Sequence, residues 1–200
     1  MELFRLQYEH NKIYKLYVDA LKIDPLQVDQ IENIPFLPIQ FFKTNRIITT
    51  NFEPEIIFES SGTTGENISR HFVKKLSIYK ESFMKAFKLF YGSPEELCII
   101  GLLPGYIERQ NSSLITMVDQ LIKKSGHIHS GFYLHDYKKL YQSLVRCEVS
   151  KQPVLLIGVT FALLDFAEKY SIELNHTTIM ETGGMKGRRE EITREEVHTF

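Results

Sequence analysis

PVLLIGV, residues 153–159, is the stretch whose reading decides the fold. After Pro153 it offers no polar side chain. A strand with one wet face alternates apolar and polar residues, whereas an unbroken apolar run is buried on both faces, as in a parallel sheet covered by helices. The next residues, TFALLDFAEKY at 160–170, have helical spacing. Parallel neighbours need such a crossover, because a tight hairpin cannot join them.

The same alternation extends outward on both sides. LCIIGLL (97–103) reads as a strand and NSSLITMVDQLIKKSG (111–126) as a helix. Asn111 to Ser113 are its candidate caps and Gly126 its stop. HIHSGFYL (127–134) reads as a short strand, HDYKKLYQSLVRCEV (135–149) as a helix, and HTTIMETGG (176–184) as a strand running into glycines. Upstream, SIYKESFMKAFKLFYG (77–92) is helical and ends at a glycine. The prediction is an α/β fold with a largely parallel sheet flanked by helices.

The amino terminus reads differently. Residues 2–21 suggest one helix, with apolar positions at Leu3, Leu6, Ile13, Leu16 and Tyr17. In IENIPFLPIQFFK (31–43), Pro35 and Pro38 forbid a regular helix. Phe36, Leu37, Ile39, Phe41 and Phe42 are too apolar for a free linker and are expected to pack. The expected division is a helical, Pro/Phe-rich segment over 1–50 and an α/β unit over 51–200.

Net charge is −1, which argues against a nucleic-acid binder driven by overall basicity. No apolar run is long enough to span a bilayer, and the first residues lack the apolar core of a signal peptide. These features favour a cytoplasmic protein. Cys98 and Cys147 are too scattered for a disulfide framework or a metal motif and are expected as packing residues. His127 and His129 fall on one face of a possible strand, but no third ligand has a telling spacing, so no metal site is expected. Lys186, Arg188 and Arg189 are followed at once by Glu190 and Glu191, which reads as a solvated face. Phe83, Phe87, Phe90 and Tyr91 recur at near-helical spacing and read as core.

Three loops follow strands, where α/β proteins place ligands: FESSGTTGENIS (58–69), LPGYIERQNSS (103–113) and TGGMKG (182–187). The first lacks the Gly-Lys-Ser/Thr of a nucleoside-triphosphatase loop, and the ISRHFV that follows alternates like a strand. It therefore reads as a glycine hairpin. Two uses fit its composition. It is a plain turn, or its successive backbone N–H groups and the hydroxyls of Ser60, Ser61, Thr63 and Thr64 hold phosphate. In the second loop, Arg109 suits a carboxylate bound through two parallel hydrogen bonds, beside Tyr106 and Glu108; a surface loop capping the next helix is the other reading.

IPFLPIQFFK, FESSGTTG, LLPGYIERQNSSLITMVDQLI and METGGMKGRREEITREE, in that order, resemble the acyl-protein synthetases of bacterial luminescence and their relatives among the adenylate-forming enzymes. The resemblance implies the amino-terminal portion of that fold. It implies activation of a carboxylic, in relatives fatty, acid by ATP and magnesium to an acyl-adenylate, then transfer to a thiol of a protein cysteine or coenzyme A. It assigns Ser60, Ser61, Gly62, Thr63, Thr64 and Gly65 to phosphate, Gly183 and Gly184 to the adenine and acyl pocket, and the Tyr106, Glu108 and Arg109 region to the substrate pocket. From residues alone, Gly183 and Gly184 read first as a strand-end turn before a helix capped by Thr193.

Two departures qualify the resemblance. ENIS stands where the superfamily often has a lysine, and its later motifs for adenine, ribose, magnesium and adenylation have no match before Phe200. The chain alone is therefore expected to be inactive, with self-association through uncovered apolar surface. A non-enzymatic module binding a ligand or partner is the alternative. A glycine-loop kinase is disfavoured by the missing lysine.

Overall fold

The structure, a computed structural model, describes residues 1–60, 68–104, 111–185, 187–190 and 192–197. The chain forms two compact units, 1–77 and 78–200.

In the first unit, the expected single helix is two, α1 (Glu2–His10) and α2 (Lys12–Ala20). Asn11 is the cause. Its backbone is extended (φ −107°, ψ 100°) and its side-chain oxygen accepts the Tyr14 N–H at 3.2 Å. Asparagine satisfies a free helix-start donor better than it continues a helix. The two helices bury Phe4, Tyr14 and Val18 with Val28.

The Pro-rich segment is a 3-10 turn at Ile31–Asn33, an extended stretch and a short helix, α3 (Phe41–Thr44). Ile34 and Leu37 pack on the small core, Phe41 meets Tyr17 edge to face, and Phe42 stacks on His71. Phe36 and Ile39 depart from expectation: both are about 70% exposed. β1 (Ile56–Glu59) pairs antiparallel with β2 (Arg70–Val73), with Ile56 opposite Val73 and Glu59 opposite Arg70. The strands that flank the glycine loop thus form an antiparallel hairpin, as read, in a two-stranded sheet of their own.

The second unit holds most of α4 (Leu76–Tyr91) and the rest of the chain. Its parallel sheet has the order β4-β3-β5-β6, from β3 (Cys98–Leu102), β4 (Gly131–Phe132), β5 (Val154–Val159) and β6 (Thr177–Thr182). α5 (Ser113–Ser125), α6 (Tyr137–Ser150) and α7 (Thr160–Lys169) are the crossovers. Every residue of β3 and β5 is buried, as the unbroken apolar pattern requires. Burying such side chains contributes roughly 1.5–3 kcal/mol each, before chain entropy is subtracted.

The helix ends follow the sequence signals. Ser112 caps α5 through the Ile115 N–H, and Gly126 ends it at φ +63°. Asp136 caps α6 through the Lys139 N–H. Phe83 and Phe87 enter the core, but the last turn of α4 runs past it and leaves Phe90 and Tyr91 exposed. Strand β4 is shorter than expected. His127 and His129 lie in the turn before it, so they do not share a strand face.

No helix among the described residues is long and apolar enough to cross a membrane.

Candidate functional site

The order β4-β3-β5-β6 has its reversal at β3. From β3 the chain goes out to β4, then returns to β5 on the other side. In open α/β sheets the crevice at the carboxyl ends of strands flanking such a reversal is the ligand-binding position. β3 runs at this end into residues 105–110, so Tyr106, Glu108 and Arg109 lie outside the described residues.

Beside it, the carboxyl ends of β5 and β6 open on a cavity of about 400 Å³. Thr160, the first residue of α7, lines it with residues 181–185. Ile192, Arg194 and Val197 complete the wall. The volume lies within the usual range for small-ligand sites, roughly 300–1,000 Å³.

Local sequence builds this wall. β6 ends at Thr182, and Gly183 turns the chain with φ +90°, a backbone conformation that costs glycine little. A Cβ at Gly184 would meet nothing within 4 Å. The two glycines thus present bare backbone, which a flat ring can approach closely. Met185 is fully buried beneath. Thr193 and Glu196 form a reciprocal cap on α8 (Arg194–Val197): the Thr193 hydroxyl accepts the Glu196 N–H at 3.3 Å, and the Glu196 carboxylate accepts the Thr193 N–H at 2.7 Å. This is the cap expected for Thr193, and it fixes the turn that carries Arg194 to the cavity.

Of the residues expected to hold phosphate, Ser61, Gly62, Thr63, Thr64 and Gly65 lie outside the described residues. Ser60 is described. Its N–H donates to the Ser69 carbonyl at 3.0 Å, and its Oγ accepts the Ser69 N–H at 3.1 Å. Ser60 therefore closes the hairpin at the base of the loop.

Sequence reasoning missed Thr160, Glu181 and Arg194. Thr160 carried a legible signal, since it directly follows the most apolar strand at its ligand-binding end. Glu181 and Arg194 carried none, because their approach to the cavity depends on how the chain turns at Gly183 and returns through α8.

The basic cluster also reads differently in space. Arg189 reaches across to two carboxylates of α7. Its Nε donates to Asp165 at 2.9 Å, and its Nη1 and Nη2 donate to Glu168 at 2.8 and 2.6 Å. The Glu168 bonds and the Asp165 carboxylate raise the guanidinium pKa, and the Arg189 bonds hold Glu168 below the usual carboxylate range. This side chain ties the segment after β6 to α7.

The two scattered cysteines meet. Ligand atoms of Cys98, His127 and Cys147 all lie within 4.8 Å of one another. Burial pushes the Cys98 thiol up to about 12, and burial likewise raises Cys147.

The chain belongs to the acyl-protein synthetase, LuxE, family, whose model matches residues 1–198. It is similar to a long-chain-fatty-acid–luciferin-component ligase from Photorhabdus luminescens, with 39% identity over 66 residues. That alignment covers 32% of this chain and 56% of the relative, so the chain spans just over half of that protein's length. No solved structure matches it.

Proposed function

We propose that this chain serves the activation of a carboxylic acid, fatty by analogy with the named relative: the carboxylate attacks the α-phosphate of ATP, pyrophosphate leaves, and an acyl-adenylate forms. The thiol of a protein cysteine or coenzyme A then takes the acyl group, and AMP leaves. The observation that carries the reading is the cavity at the ends of β5 and β6, with its open glycine backbone, in a chain of this family.

The residues fit the task. Gly183 and Gly184 leave room for a planar base or an acyl chain, with Ile192 and Val197 as apolar walls. Arg194 supplies a cation in the same wall, suited to a carboxylate or phosphate oxygen. Ser60, Ser61, Thr63 and Thr64, with the backbone of Gly62 and Gly65, supply phosphate donors without a lysine. The chemical difficulty is to bring two anions together and stabilise the charge developing on phosphorus. Magnesium, held chiefly by phosphate oxygens and water, would neutralise part of that charge.

Calorimetric titration with ATP and magnesium tests the phosphate assignment, beside a Thr63→Ala, Thr64→Ala double variant. Hydrogen bonds to charged groups contribute about 1.5–3 kcal/mol each, so the double variant should bind at least about tenfold more weakly. Carboxylate-dependent exchange of pyrophosphate into ATP tests the chemistry. Nucleotide binding without exchange is the outcome expected of this chain alone, and turnover at roughly 1 per second or more would overturn its expected inactivity. ATP binding unchanged in the double variant would remove the loop from the site.

A further inference from the structure

Cys98, His127 and Cys147 come from three elements: the first residue of β3, the turn after α5, and the last turns of α6. Their ligand atoms already lie within 4.8 Å of one another. Tetrahedral zinc has bonds of about 2.3 Å to sulfur and 2.0–2.1 Å to nitrogen. Such bonds place neighbouring ligand atoms roughly 3.6–3.8 Å apart, so closure needs shifts of about an ångström. We propose that this cluster is a zinc site, with two thiolates and one imidazole as ligands and water in the fourth position.

Polar bonds fix the turn that carries His127 on both sides. The Ser130 Oγ accepts the Ile99 N–H at 2.8 Å, and the Ser125 and Ser130 hydroxyls bond each other at 2.8 Å. The Ser125 Oγ also accepts the His127 N–H at 3.3 Å. On the other side, the Tyr133 hydroxyl reaches the His129 carbonyl at 2.9 Å and the Ser143 hydroxyl at 2.9 Å. Ser125, Tyr133 and Ser143 are buried. These bonds hold the imidazole beside β3 and α6 before any metal arrives.

The donor set selects the metal. Two thiolates and an imidazole suit a thiophilic ion, and oxygen-seeking magnesium or calcium gains nothing there. Two thiolates also cancel the charge of Zn²⁺, so burial leaves no net charge to desolvate. His127 is only partly buried while both cysteines are buried, so the imidazole side is the route of entry. The His127 Nδ1 accepts the His129 N–H at 3.2 Å. Metal at Nδ1 displaces this bond directly. Metal at Nε2 moves the imidazole proton to Nδ1 and breaks it. In both cases the change stays within the turn.

Cys98 opens β3, so the cluster lies at the amino end of the sheet, opposite the cavity at the carboxyl ends. Its role is to clamp β3, the turn and α6 together. Loss of zinc should therefore lower stability and leave nucleotide binding unaffected, which separates this inference from the proposed function.

The test uses the reduced, metal-stripped full chain titrated with zinc against a competing chelating dye, and with cobalt(II) followed by absorption. One equivalent should bind, with tetrahedral cobalt bands, a sulfur-to-cobalt charge-transfer band and a higher unfolding temperature. His127→Gln, at a partly exposed turn, and Cys147→Ser should each weaken zinc at least about tenfold, while His129→Gln should not. Circular dichroism establishes that each variant is folded. The inference is overturned if the folded chain takes up no stoichiometric zinc. It is equally overturned if cobalt shows no charge transfer from sulfur, or if zinc affinity is unchanged in folded His127→Gln or Cys147→Ser.

Discussion

The Thr160 hydroxyl donates to the Glu181 carboxylate at 2.6 Å, joining the first residue of α7 to the end of β6. Thr160 is buried while Glu181 is exposed, so one bond reaches from the core to the rim of the cavity. Thr160→Val keeps the shape and removes the donor. It should cost about 1–2 kcal/mol in chemical denaturation. A double-mutant cycle with Glu181→Ala should show a coupling of roughly 0.5–1.5 kcal/mol; strictly additive effects would deny that the pair interacts.

Gly184 and Gly158 should separate site from scaffold. A Cβ at Gly158 would lie 2.6 Å from Cγ and Cδ2 of Leu163, so Gly158→Ala must displace a packed side chain. Overpacking of this kind costs about 1–3 kcal/mol. Gly184→Ala meets nothing and should leave stability nearly unchanged. Gly184→Leu should also fold, but fill the cavity and weaken ligand binding. Unaltered binding in the folded leucine variant would show that the ligand lies elsewhere.

Glu148 predicts a pH dependence. Burial opposes its charge, but the Thr177 hydroxyl and the N–H groups of Asn175 and His176 outweigh that and hold its pKa below the usual range. A depressed folded-state pKa means the contribution to stability is complete above the unfolded value, about 4.3. It is lost as pH falls through the folded one. Glu148→Gln should therefore destabilise at neutral pH by about 1–3 kcal/mol and flatten the acid limb below pH about 4.3. A variant that tracks the parent at every pH would refute this.

Arg189→Lys keeps the charge but loses the fork that meets Asp165 and Glu168. The unfolding midpoint should fall by roughly 2–4 °C, and by less at high salt, because the pairs are partly exposed and screened. A salt-independent loss would point to packing of the side chain, with Arg188 over Phe161 nearby as the obvious neighbour.

The α/β class, the hairpin at the glycine loop and most helix ends were legible because each depends on residues close in sequence. An apolar run such as Val154–Val159 is buried wherever it sits in a sheet, and Ser112 and Gly126 act within one turn. The break at Asn11 was missed because apolar spacing continues across it; only its cap distinguishes two helices from one. Phe90 was misread because periodicity gives a face and does not say where the core stops.

The sequence by itself determined the alternation of strands and helices, the family, and the open glycines at the end of β6. Tertiary structure alone decided the strand order β4-β3-β5-β6, and with it the switch in the sheet beside which the cavity opens. It also chose Asp165 and Glu168 for Arg189, and gathered Cys98, His127 and Cys147. The physical reason is range. Periodicity and capping act over a few residues, whereas these partners meet only after crossover helices have folded back on the sheet, and no local pattern records which distant side chain will be there.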